Sequence, residues 1–412
     1  MDLPYAPQGD LTLPILRDPY RALSRISDTL GSDAFRGQLM MQETVFLTGP
    51  EGARVFYSDA MRRAGAAPAF VKMTLFGHGG VQGLDGESHT RRKALFLDLL
   101  GHEAAEGIAG RVAAALDRLA GERRDRIVLQ DEMQILLTRE ICGWAGVPLS
   151  EADLPKRAKQ LSDLFQHAAP LRPGFASAVI SRQRATAWVA KLIGETRRGD
   201  LTPPKGSALA EIAFWRDDDG LPLDRNIAAV ELLNILRPTV AVSAFLTFMV
   251  HAVETHESAE IACREMSDTF VKEIRRTVPF FPVLAAITDR STEIFGADIP
   301  EGTRVVLDIY GTNHDARTFD RPTMFRPSRF LNRRMGAYDM IPQGGGDHAG
   351  GHRCAGEGVT EAIMEAFADW LGHRVRYEVP KQNLELVMTR LPALPASHMI
   401  LTDLRPVGSY KA

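Results

Sequence analysis

The strongest constraint on the fold is a helical run that is apolar on nearly every side. From Leu232 to Val242 the chain reads Leu-Leu-Asn-Ile-Leu-Arg-Pro-Thr-Val-Ala-Val, inside a pattern extending from Asp224, a fitting N-cap, to about Glu254. Such a helix belongs in the interior, with other elements covering it. Its most apolar part, Pro238 to Val253, is short of the ~20 residues that a bilayer span requires, so no membrane span is expected. Two residues at its middle oppose burial. Pro238 removes a backbone hydrogen bond, a cost of ~3 kcal/mol or more in a helix interior. Arg237 needs a partner if buried, and its helix supplies no acid nearer than Glu231, almost two turns away. That partner is either a distant Asp or Glu or a ligand bearing a carboxylate.

Around this run the sequence is mainly helical. Apolar spacing predicts helices over 18–30, 103–120, 131–145, 151–166, 181–197 and 259–278, with breaks at 170–173 and 201–206. Strand-like runs at 34–40, 44–47 and 303–308 predict small sheets near both ends of the chain that meet in space. No repeat or strong linker divides the 412 residues, so residues 1–412 are read as one domain. A formal charge of -3 with 25% charged residues gives no basic field for nucleic acid, and the start Met-Asp-Leu-Pro has no export signal. The expectation is a cytoplasmic protein.

A second anomaly lies near the C-terminus, in Gln343-Gly-Gly-Gly-Asp-His-Ala-Gly-Gly-His-Arg-Cys354-Ala-Gly-Glu357. Five glycines precede Cys354 and a sixth follows it, a density suited to close backbone approach to a large ligand. His352 and Arg353 place positive charge beside the sulfur, and a helical pattern begins just after it, so a thiolate is favoured. The segment admits two readings: a flexible loop with an incidental cysteine, or an axial thiolate ligand, for haem iron above all. Cys142 and Cys263 sit in helical patterns as small apolar residues. No second cysteine or paired histidine near Cys354 supports zinc.

Two further constellations are weaker alone. Glu273 and Arg276, at i,i+3, face each other on one helix, and the later Phe-Arg-Pro-Ser-Arg-Phe segment (325–330) offers an arginine to cap the pair. His89-Thr-Arg-Arg-Lys93 is a basic cluster, read either as a solvated helix face or as cations for an acidic cofactor.

Taken in order, the Glu-x-x-Arg helix, the Phe-Arg-Pro-Ser-Arg-Phe segment and the Gly350-x-His352-x-Cys354-x-Gly356 loop resemble the cytochrome P-450 family over essentially the whole chain. The usual acid-alcohol pair midway along the central helix is replaced by Arg237-Pro238, and Asp347 stands where the general pattern prefers Phe. Both departures resemble the bacterial fatty-acid peroxygenase branch, with its Arg-Pro-Thr-Val-Ala and Gln-Gly-Gly-Gly-Asp-His signatures. Thr74-Leu-Phe-Gly77 and Gln82-Gly-Leu-Asp-Gly86 add to the match, whereas Ala355, Gly358 and the segment 170–174 differ from that branch.

The resemblance implies a mainly α fold, an α-rich lobe plus a smaller β-rich lobe, holding haem b through Cys354. It implies a hydrogen peroxide-dependent hydroxylase of long-chain fatty acids at the α or β carbon, with no obligatory redox partner. Arg237, beside Pro238, would bind the substrate carboxylate, which then acts as general acid and base. Leu75, Phe76 and Gln82 would line the pocket, with Gln82 favouring hydroxylation over decarboxylation. Arg63, His89, Lys93 and Arg353 would meet the haem propionates, and Glu273 with Arg276 would be structural. The rival readings are a decarboxylase forming terminal alkenes, a dioxygen-dependent monooxygenase with redox partners, and a haem sensor without turnover.

Overall fold

The computed structural model describes residues 2–170, 172–217 and 220–408; Leu171, in the break at 170–173, lies outside them. The apolar run forms one helix, Arg225–Thr255, whose start is capped by the Asp224 carboxylate accepting from the amides of Asn226 (2.7 Å) and Ile227 (3.3 Å). Helices Leu129–Trp144, Leu154–Gln166, Phe175–Arg198 and Glu357–Asp369 pack around it. By length and composition this central helix could cross a membrane, yet 94% of its most apolar window is buried inside the protein. The surrounding helices therefore satisfy its apolar faces. Pro238 sits within the helix without ending it.

The small sheets at the two ends of the chain do meet. A six-stranded sheet runs in the order Tyr5–Asp10, Ala34–Leu39, Gln42–Leu47, Arg304–Asp308, Val283–Thr288, Met61–Arg62. Its seam is the parallel pairing of Thr44 with Arg304 through Leu47 with Leu307. Met40 and Met41 both adopt positive φ (55° and 59°) to close the preceding hairpin. A second sheet, which the sequence reading missed, pairs Ile400–Pro406 with both Val375–Glu378 and Arg126–Val128. Apolar side chains collect in one large cluster among the helices and smaller ones beneath the six-stranded sheet. The architecture is an α-rich lobe with a smaller β-rich lobe.

Two expected helices are corrected. The run 259–278 is not continuous: Glu257–Glu265 ends at Met266, whose backbone (φ -141°, ψ 49°) leaves the helical region, and Ser267–Thr277 begins anew. Ser267, Asp268 and Thr269 are helix-start residues, and the Thr269 hydroxyl donates to the Met266 carbonyl (3.0 Å). The helix expected from residue 18 begins at Ala22, after a short separate helix, Thr12–Arg17, because the Asp18 carboxylate accepts from the Arg21 amide and forms a turn there.

Candidate active site

Cys354 lies just before helix Glu357–Asp369, held by its own amide donating to the Gln343 carbonyl (3.0 Å). Gly351 is required in this loop, since a Cβ there would meet the Asp347 carbonyl oxygen at 2.6 Å. The charges beside the sulfur differ from those expected. Arg353 turns to Glu357 (2.6 Å), and His352 pairs with Asp85 (3.3 Å) and stacks on His89 (3.9 Å). Burial pushes the Cys354 thiol up, while the Gly356 amide and the charges of Arg275 and Lys93 pull it down. An iron ion would deprotonate it outright. Cys142 and Cys263 are buried, and burial pushes both thiols up to about 12, so they are inert packing residues.

The basic cluster is not a solvated face. His89, Arg92 and Lys93 are buried on one side of helix Gly86–Leu99, whereas Thr90 and Arg91 are exposed. Their i, i+3, i+4 spacing was the available signal. Lys93 Nζ donates to the carbonyls of Gly351 and Arg353, tying this helix to the cysteine loop. Burial, then His352 and Lys93, pushes His89 down to about 4, so it is neutral at pH 7. Arg63 lies over the Phe56 ring (3.9 Å), and its Nη1 is buried without a partner among the described residues. Of the four propionate candidates, Arg63 thus keeps an unused buried donor, while Arg353 is committed to Glu357.

Glu273 and Arg276 form a bidentate pair (2.8 Å for both contacts), fully buried. Arg329 adds its Nε to Glu273 (3.1 Å), and the Arg326 amide adds another donor (2.7 Å). Arg275, next to this pair and unremarked in the sequence, reaches Gln343, Glu357 and Glu361 and so braces the cysteine loop. No local pattern announces those contacts, because their partners lie more than sixty residues away.

The other side of the site is built by the central helix and the turn 72–77. Arg237 is buried, and its Nη1 donates to the Leu75 carbonyl (2.5 Å), while its Nε has no partner. Among the described residues no carboxylate pairs with it. Burial, then the Arg182 charge, pushes Arg237 down to about 9; the Cys354 charge acts in the opposite direction. Arg182, missed in the sequence, donates to the carbonyls of Leu75 (3.3 Å) and Phe76 (3.2 Å). Gly77 makes room for it: a Cβ there would lie 1.9 Å from Arg182 Nη2. Phe76 and Gln82 share one cleft with Arg63, and Gln82 Oε1 accepts from Asn234 of the central helix (3.1 Å). Leu75 thus meets Arg237, and Gln82 meets the central helix three residues before it, whereas Pro238 is placed only by following Arg237 in that helix.

A thiol at a glycine loop, an unused buried guanidinium donor on Arg63, and buried His89 and Lys93 fit haem with its two carboxylates. Comparison with known proteins agrees. Residues 249–400 match the cytochrome P-450 family model. The chain is 41% identical to cytochrome P450SP alpha (CYP152B1), solved in complex with (R)-ibuprofen, over 97% of this chain and 100% of that one, with a TM-score of 0.94. It is 36% identical to cytochrome P450EX alpha (CYP152N1), solved with myristic acid, over 99% and 100% of the chains, with a TM-score of 0.95. Among curated sequences, a mitochondrial cytochrome P-450 4e5 of Drosophila mettleri is 33% identical over 98 residues, 24% of this chain but 18% of that protein. The chain therefore belongs to the cytochrome P-450 family, close to its CYP152 members, as an oxidoreductase whose haem iron is held by the Cys354 thiolate.

Proposed function

We propose that this enzyme uses hydrogen peroxide to hydroxylate long-chain fatty acids at the α or β carbon, in the cytoplasm and without a redox partner. One observation carries the reading: Arg237 is a buried cation with no carboxylate counter-ion among the described residues. Among the described residues Arg92 is bonded to both Glu231 and Asp217, whereas no carboxylate pairs with Arg237, whose nearest charged neighbours are the Arg182 guanidinium and Cys354. A buried guanidinium without a carboxylate partner is costly, and a substrate carboxylate beside Arg237 offsets that cost. The ligands of the two solved relatives, ibuprofen and myristic acid, share a carboxylate on an apolar body, which supports the same anchor here.

Haem, once bound through Cys354, supplies the oxidising chemistry, and the thiolate's electron donation assists cleavage of the peroxide O–O bond. The chain's own groups do the rest. Arg237 fixes the carboxylate, and the apolar walls of Leu75 and Phe76 receive the acyl chain. The central helix carries Arg237-Pro238 where a dioxygen-using enzyme needs an acid. The anchored carboxylate fills that role, taking a proton from hydrogen peroxide and returning it to the departing oxygen as water. The balance is one C–H bond and H2O2 giving one C–OH and H2O. Head-first anchoring brings the α and β carbons nearest the reacting centre, so proximity sets the position of attack. Gln82, an amide that cannot titrate, favours hydroxylation over loss of carbon dioxide.

Incubation of the haem-loaded enzyme with a long-chain fatty acid and hydrogen peroxide, without reductase, tests the proposal. Products are expected to be 2- and 3-hydroxy acids. Turnover only with dioxygen and an electron-transfer partner would refute it, as would no turnover at all.

A further inference from the structure

Behind Gln82 lies a buried polar chain that the mechanism above does not use. Asn234 Nδ2 donates both to Gln82 Oε1 (3.1 Å) and to Glu231 Oε2 (2.8 Å), while Asn234 Oδ1 is buried without a partner among the described residues. Glu231 Oε1 accepts from Arg92 (2.7 Å), and Arg92 reaches on to Asp217 at the edge of the fold. The Val81 amide also donates to Glu231, so the acid holds the turn that carries Gln82. A Cβ at Gly80 would sit 3.1 Å from both Asn234 Nδ2 and Gln82 Oε1, and glycine leaves their contact unpressed.

The chain has a direction. A carboxylate gripped by Arg92 can only accept, so Asn234 must turn its NH2 toward Glu231. The same NH2 then faces Gln82, which must answer with its carbonyl oxygen. The Gln82 NH2 takes no part in that contact, and Gln82 lines the cleft it shares with Phe76. We infer that Glu231, backed by Arg92, is a positioning residue that fixes the Gln82 carboxamide as a hydrogen-bond donor toward the substrate, and so sets the balance between hydroxylation and decarboxylation. The inference rests on the role given to Gln82 above. Neutral Glu231→Gln should reverse the chain: its NH2 would face Asn234, Asn234 would turn its oxygen toward it, and Gln82 would show its carbonyl to the cleft.

Two measurements test this. Neutron diffraction from deuterated wild-type holoenzyme crystals should show the Gln82 deuterons facing the cleft and both Asn234 deuterons shared between Gln82 and Glu231. A Gln82 carbonyl facing the cleft would overturn the inference whatever the activity. In product assays, Glu231→Gln should shift the ratio of hydroxy acid to alkene about fivefold toward alkene, the worth of one hydrogen bond. Gln82→Ala should do the same, and the double variant should add nothing. An unchanged ratio in Glu231→Gln beside a changed one in Gln82→Ala would overturn the positioning role. If Gln82→Ala itself changes nothing, the role of Gln82 in partitioning falls, and the neutron result alone decides the orientation.

Discussion

Two buried arginines, Arg276 and Arg237, show opposite ways of living inside this protein. Arg276 has a bidentate carboxylate in Glu273 and two carbonyls, those of Asn313 (3.0 Å) and Pro322 (2.8 Å). Arg237 has one carbonyl, an unpartnered Nε and a second guanidinium for a neighbour. Both are almost wholly removed from solvent. A buried charge completed by its own fold is scaffold. One left incomplete is waiting for a ligand of opposite sign, and its cost in the free protein is part of the attraction for that ligand.

The contrast breaks most visibly through stability. Glu273→Gln leaves Arg276 and Arg329 buried without their anion, so chemical unfolding should show a loss of about 3–5 kcal/mol, with poor recovery of holoenzyme. Arg237→Ala removes an uncompensated charge, and its unfolding midpoint should stay level or rise. Similar losses in both variants would mean that Arg237 has a counter-ion in the fold after all.

Function should show the reverse ranking. Arg237→Ala should abolish peroxide-driven turnover of long-chain acids, the loss of a charge-assisted pair worth on the order of 2–5 kcal/mol. In the wild type, a short carboxylic acid added with a substrate lacking a carboxylate should restore turnover, because it occupies the same anchor. Fatty alcohols reacting equally well with no added acid would contradict the substrate-assisted step.

The pH dependence sharpens the comparison further. Burial pushes Arg237 down to about 9, so the free site is cationic at neutral pH and loses its charge as pH rises through that value. Fatty-acid affinity, followed by calorimetry, should therefore be flat from pH 6 to 8 and fall about tenfold per pH unit well above 9. Affinity without a decline across that range would mean that Arg237 keeps its charge there.

The smallest expected effect is at Gln82. Gln82→His introduces a group that titrates near neutral pH, and product analysis should show more terminal alkene at the expense of hydroxy acid. An unchanged ratio would leave the activity account intact and remove Gln82 from the partitioning step.

Legibility followed the range of the interactions. The cysteine loop, the Glu273–Arg276 pair and the anomalous Arg237-Pro238 were readable because each is written within a few residues. The halves of the six-stranded sheet were expected to meet, but the strands Tyr5–Asp10 and Val283–Thr288 were not foreseen, since neither run alternates strongly. Arg182 was invisible in the sequence because its role depends on helix Phe175–Arg198 approaching the turn at Gly77. The charge near the sulfur was misassigned for a similar reason: adjacency suggested Arg353, but Glu357 one turn on captures it, and the distant Arg275 and Lys93 supply the field.

The central claim is that the missing counter-ion of Arg237 is the substrate's own carboxylate. The most direct test is the affinity of a long-chain fatty acid against the alcohol of equal length, in wild type and in Arg237→Ala, titrated on the holoenzyme. The account predicts that wild type prefers the acid by about thirtyfold or more, the lower end of a buried charge pair, and that the variant loses this preference. An acid-to-alcohol ratio that is the same in both proteins would contradict it.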